Sequence, residues 1–193
     1  MPLNIPNLLT WLRILLIPVF LVVFYLSDET LSLHYKHLLS TFIFWLAAVT
    51  DWLDGYFARR LNQSSAFGAF LDPVADKLMV SAALIVLVNL SLVDAAIAFI
   101  IIGREIAISA LREWMAQLGN AKNVAVSMLG KIKTTFQMLA ILLLLYQDPL
   151  GTISTQWLGT LLIYLAAVLT LWSMVYYLML AWPQISARSR DRN

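Results

Sequence analysis

The side chains in this sequence best suited to chemistry lie in the stretch DWLDGYFARRLNQSSAFGAFLDPVAD, Asp51 to Asp76. It holds four aspartates. Asp51 and Asp54 stand three residues apart, Asp72 and Asp76 four apart. On a helix, both spacings set two carboxylates on one face. Four carboxylates crowded together repel one another and lose hydration unless a cation joins them. Oxygen-only ligands suit Mg²⁺, Mn²⁺ or Ca²⁺, so the simplest arrangement is a pair of divalent cations held between two helices. Two such ions can stabilise the attacking and the departing oxygen of a phosphoryl displacement. An unactivated alcohol also needs a base, which one of the four carboxylates can supply. The plainer reading has the aspartates at helix ends in a headgroup layer, paired with Arg59, Arg60 and Lys77. It suits a single aspartate better than two pairs at helical spacing, because ionisable groups near membrane depth usually mark function.

The neighbours of the aspartates favour a phosphate-bearing ligand. Gly55 and Gly68 leave the helix surface without a Cβ, so a flat or phosphorylated group can approach the backbone. Small residues also let membrane helices pack closely, and alone these two glycines would be read that way. Arg59 lies one turn beyond Gly55 and suits a bidentate phosphate contact. A second polar set lies further on. Arg104, Glu105, Ser109 and Arg112 form a stripe at helical spacing, and Lys131 and Lys133 open the following helix. Cations at a helix N-terminus oppose its dipole, so they call for another partner. Membrane-surface anchoring would explain Lys131. Arg104 is deeper and needs a carboxylate or an anionic ligand. Together these cations could hold a phosphate group.

Composition says what must position these groups. Hydrophobic residues make up 61% of the 193, and charged residues 12%. Soluble domains are about 45–50% apolar and about 25% charged. The apolar runs are near 20 residues, as in spanning helices rather than barrel strands. The sequence therefore predicts an all-α integral membrane protein, with a single domain over residues 1–193 and six transmembrane helices. Helices are expected at about Leu8–Leu26, Leu38–Arg59, Phe67–Val88, Ala95–Trp114, Ser127–Tyr146 and Ile153–Trp182, the last tilted or in two pieces. Residues 1–7 form a lead-in, Ser27–His37 a polar loop, and about 184–193 a mobile tail. No positive n-region precedes the first apolar run, which reads as a retained helix rather than a cleaved signal. With both termini on one side, twelve of the thirteen Lys and Arg residues share that side, and only Lys36 lies opposite. The positive-inside rule then makes both termini cytoplasmic. There are no cysteines, so thiolate chemistry and disulfides are excluded. Both histidines, His34 and His37, fall in the expected external loop, away from the aspartates. The basic clusters, within so apolar a chain, give no sign of nucleic-acid binding.

The fixed positions Asp51-x2-Asp54-Gly55-x2-Ala58-Arg59-x8-Gly68-x3-Asp72-x3-Asp76 match the signature of the CDP-alcohol phosphatidyltransferase family, which the sequence resembles along nearly its whole length. The resemblance implies a homodimer of six-helix protomers in a bacterial inner membrane, with a cavity open to the cytoplasm. It implies transfer of a phosphatidyl group from CDP-diacylglycerol to an alcohol, with release of CMP and dependence on two Mg²⁺ or Mn²⁺ ions. By match, Asp51, Asp54 and Asp72 are metal ligands, and Asp76 joins the metal site and acts as general base. Gly55, Ala58, Arg59 and Gly68 fall where the family binds the CDP moiety, with Asn7 and Thr10 as further contacts. Ile5–Thr10, Gly103–Glu105, Ala110–Arg112 and Gly130–Thr134 resemble the branch whose acceptor is glycerol 3-phosphate. Arg104, Arg112, Lys131 and Lys133 are the corresponding acceptor candidates. Rival readings are a family member with another acceptor such as inositol phosphate, a membrane prenyltransferase, and a cation transporter or binding module. Against the last stand Gly55, Arg59 and Gly68, which transport alone does not need.

Overall fold

The computed structural model describes residues 5–61, 66–117 and 128–190; the rest lie outside the described residues. Six helices follow one another: α1 Ile5–Tyr25, α2 Leu33–Leu61, α3 Ala66–Asn89, α4 Ala95–Gln117, α5 Met128–Tyr146 and α6 Thr155–Arg190. Among the described residues the only β-type pairing is the isolated bridge Leu150–Ile153 in the α5–α6 turn. Three segments, Asn7–Tyr25, Leu33–Phe57 and Thr155–Met179, are long and apolar enough to cross a membrane.

Two elements differ from the sequence expectation. The expected loop Ser27–His37 is shorter, because α2 starts at Leu33. His34, Lys36 and His37 look like loop residues, yet Lys36 is buried. Its ammonium pairs with Asp28 at 2.6 Å and donates to the Leu26 carbonyl. That satisfies both the charge and an orphan carbonyl past the end of α1. The second difference is the reach of α6: of the two expectations, tilted or in two pieces, it is one piece, and its 36 residues extend past Trp182. It runs to Arg190, into the stretch expected as tail. At 1.5 Å per residue it is about 54 Å long, well beyond a hydrocarbon layer of about 30 Å.

One apolar core joins all six helices. Phe20 of α1, Phe44 of α2, Leu87 of α3, Ile101 of α4, Leu144 of α5 and Ile163 of α6 belong to it, and all are fully or almost fully buried. Leu15, Phe99 and Trp172 point outward, as lipid-facing residues do. Lipid tails are as apolar as a leucine, so close packing matters more here than removal from water. Gly159 illustrates this. A Cβ there would lie 2.7 Å from the Leu144 side chain and 3.3 Å from the Ala140 carbonyl oxygen. The missing side chain lets α6 approach α5. The turns are closed by polar contacts. Gln147 takes a positive φ where α5 ends, and Thr155 donates to the Asp148 carbonyl at 3.0 Å. At the α3–α4 turn, Asp94 accepts a hydrogen bond from Tyr164 of α6. These contacts fix the bundle that holds the inward-facing charges.

Candidate active site

The second half of α2 carries Asp51 and Asp54, and the first half of α3 carries Asp72 and Asp76. Pro73 falls in the early turns of α3, where its missing N–H costs least. The structure brings the four aspartates together around α1. Arg13, only 1% exposed, makes ion pairs with three of them. One terminal nitrogen lies 3.1 Å from Asp51 and 2.5 Å from Asp76; the other contacts Asp54. Thr10, one turn earlier on the same helix, donates its hydroxyl to Asp72 at 2.5 Å. A single face of α1 therefore organises the whole quartet.

Sequence reasoning named Thr10 as a nucleotide contact, not as a partner of Asp72, and gave Arg13 no role. The available signal was a lone arginine in an apolar helix, three residues after Thr10, which is costly in a membrane without an anionic partner. Its partners lie 38 to 63 residues away in sequence, and only the fold reveals them.

The donor set fits a hard divalent cation in its chemistry: all oxygen, all carboxylate, and converging on a positive centre. Among the described residues no three acidic or imidazole groups form a ready-made ligand set. The carboxylates are arranged around the Arg13 guanidinium instead, so ions bound to these oxygens would share them with Arg13. Gly68 is buried and Gly55 half-buried beside the aspartates, and Asn7 is buried near the start of α1. The side chains of Ala58 and Arg59 lie outside the described residues, as does that of Lys131.

The basic set forms a second cluster. Glu105 binds Lys133 of α5 and pairs with Arg104 at 3.4 Å. Arg104 also donates to Ser173 of α6 at 2.8 Å. Lys133 is 1% exposed and Arg104 6%. Both guanidinium groups of α4 face the ring of Tyr177, Arg104 at 5.8 Å and Arg112 at 5.3 Å from its centroid. Ser173 and Tyr177, which sequence reasoning missed, reach this cluster only because α6 packs against α4.

A cavity of about 790 Å³ connects the two clusters. Arg13, Asp51 and Asp76 line it on one side, and Glu105, Ser109 and Arg112 on the other. Its remaining walls are largely apolar and include Met79, Ile106, Met138 and Leu142. Of the acceptor candidates with described side chains, Arg112 lines the cavity directly. Arg104 and Lys133 reach it through Glu105. A carboxylate cluster facing a cation cluster across an apolar-walled cavity suits a ligand with phosphates at one end and hydrocarbon at the other.

The family model for CDP-alcohol phosphatidyltransferase matches residues 3–172. The chain belongs to the CDP-alcohol phosphatidyltransferase family. Curated relatives agree along nearly the whole length. A Pseudomonas fluorescens protein is 50% identical over 192 residues, covering 97% of this chain and 94% of its own. A Salmonella typhimurium protein is 50% identical over 187 residues, covering 94% of this chain and 96% of its own. A Shigella flexneri protein matches to the same extent. Each of the three is named CDP-diacylglycerol–glycerol-3-phosphate 3-phosphatidyltransferase. Membership in this family makes the chain a membrane-embedded phosphatidyltransferase, and the family signature read from Asp51 to Asp76 is the part that forms the carboxylate cluster.

Proposed function

We propose that the protein transfers the phosphatidyl group of CDP-diacylglycerol to glycerol 3-phosphate, giving phosphatidylglycerophosphate and CMP. The relatives that match end to end carry this reaction in their names. The observation that carries it in the structure is the shared cavity, with carboxylates on one side and Arg112 on the other. An acceptor that brings its own phosphate needs such a cationic wall. Serine or inositol does not.

Asp51, Asp54, Asp72 and Asp76 would hold two divalent cations, Mg²⁺ or Mn²⁺. When bound, these neutralise the diphosphate and favour departure of CMP. The rest falls to the chain itself. Arg112, with Arg104 and Lys133 behind it, holds the acceptor phosphate and turns the free primary hydroxyl toward the carboxylates. Asp76 lines the cavity and takes the hydroxyl proton. The hydroxyl oxygen then bonds to the β-phosphorus as the bond from that phosphorus to the CMP oxygen breaks. Gly55, Ala58, Arg59, Gly68, Asn7 and Thr10 bind the CDP moiety, and Thr10 does so while orienting Asp72. The apolar walls receive the diacylglycerol.

In this reading all six helices span a bacterial inner membrane, and both termini are cytoplasmic. Twelve of thirteen basic residues then lie inside. The carboxylates face the cytosol, where a water-soluble acceptor can reach them, and the working unit is a homodimer. The test is an acceptor panel. Purified protein with CDP-diacylglycerol and Mg²⁺ should release CMP with glycerol 3-phosphate far faster than with inositol, serine or inositol phosphate. Preference for an acceptor without a phosphate would overturn the assignment.

A further inference from the structure

We propose that Tyr177 is a positioning residue for the acceptor phosphate, acting through Arg112. The inference rests on the acceptor assignment above and extends it to a residue on α6. Arg104 and Lys133 pair with a single carboxylate, Glu105, Arg112 stands beside them against Tyr177, and Lys77 of α3 lines the same cavity. Positive charge is in excess there, and a phosphate monoester carries between about −1.5 and −2 near neutral pH. The surplus must be tolerated before the ligand arrives. Arg104 and Arg112 are two helical turns apart on α4 and repel each other. Tyr177 is 1% exposed and offers its ring to both, at 5.8 Å and 5.3 Å. The negative face of an aromatic ring attracts a cation most where water is excluded. The Tyr177 hydroxyl also accepts a long, 3.5 Å contact from Arg112.

The consequence is directional. Arg104 has Glu105 and Ser173 as further partners. Among the described residues, the ring and hydroxyl of Tyr177 are the contacts that set where the Arg112 guanidinium stands along the cavity wall. A guanidinium held in place before binding loses less freedom when it grips a phosphate, so the effect should appear in acceptor binding. The residue does not touch the reacting atoms, and the lipid substrate should not sense it.

The test replaces Tyr177 with phenylalanine and then with mono-, di- and trifluorophenylalanine. This weakens the ring's negative face stepwise at nearly constant shape. The leucine variant is the endpoint. With CMP release as readout, the apparent KM for glycerol 3-phosphate should rise along the series. It should reach roughly tenfold at leucine or at the trifluoro ring, the scale expected for a desolvated cation–π contact. The KM for CDP-diacylglycerol and kcat should stay within about twofold, as measured by the same assay. Should the leucine variant fail to fold, the fluorinated series alone decides. A flat series on an active enzyme, or equal rises for both substrates, would overturn the role of Tyr177. An unmodified protein that releases no CMP with glycerol 3-phosphate would overturn both this inference and the acceptor assignment.

Discussion

The two charged clusters of the cavity mirror each other in opposite sign. In one, four carboxylates from α2 and α3 meet a single arginine, which pairs with three of them, so negative charge is in excess. In the other, three cations from α4 and α5 outnumber a single glutamate, and Lys77 of α3 lines the same cavity. Each lone counter-ion, Arg13 or Glu105, binds several partners at once. Neither cluster is neutral, and neither makes sense as a device for stability alone, because unbalanced charge near membrane depth is costly. The difference in sign separates their tasks: one side calls for metal cations and the other for an anion. A cation transporter would need only the first.

The comparison can be broken from either side. The largest effect should come from Asp76→Asn. Losing a general base typically removes 10²–10⁴ of the rate, and kcat is expected to fall by about 10³ or more. Binding of CDP-diacylglycerol, followed by equilibrium titration, should persist. Near-normal turnover would remove Asp76 from that role.

Next comes Arg13→Gln. Removing one partner of a buried ion pair costs about 3–5 kcal/mol, and Arg13 serves three carboxylates. The variant should unfold at markedly lower temperature than the parent in detergent. Mn²⁺ should restore more of that loss than it adds to the parent, since it supplies the missing positive charge. Equal shifts with and without metal would detach Arg13 from the metal site. On the opposite side, Arg112→Ala removes a charge-assisted phosphate contact of about 1.5–3 kcal/mol. The KM for glycerol 3-phosphate should rise roughly ten- to hundredfold, with that for the lipid little changed. Equal effects on both substrates would argue against an acceptor pocket there.

The smallest effect sharpens the comparison by lying outside both clusters. Gly159→Ala drives a methyl group against Leu144 at the α5–α6 contact. It should cost about 1–2 kcal/mol of stability, read as a lower unfolding temperature, and leave both KM values unchanged.

The carboxylate cluster was legible in the sequence because its logic is local. Pairs three and four apart share a helix face whatever the rest of the chain does. The stripe Arg104, Glu105, Arg112 was legible for the same reason. What sequence could not show are contacts made across the bundle: Arg13 to Asp76, Lys133 to Glu105, Arg112 to Tyr177. Their partners are set by helix packing, not by spacing. The early start of α2 was missed likewise, because Lys36 is polar in sequence but finds Asp28 and the Leu26 carbonyl in the fold. The reach of α6 to Arg190 was missed because it exceeds what a single span requires.

The central claim is that the two clusters act on one reaction in one cavity, and phosphorus NMR can test it directly. Mn²⁺ bound at the aspartates should speed relaxation of the glycerol 3-phosphate phosphorus. The enhancement should fall when Arg112 is replaced by alanine and vanish when Asp51 and Asp72 are replaced by asparagine. Unchanged relaxation of that phosphorus, in protein shown by manganese EPR to hold its metal, would separate the two sites and contradict the account.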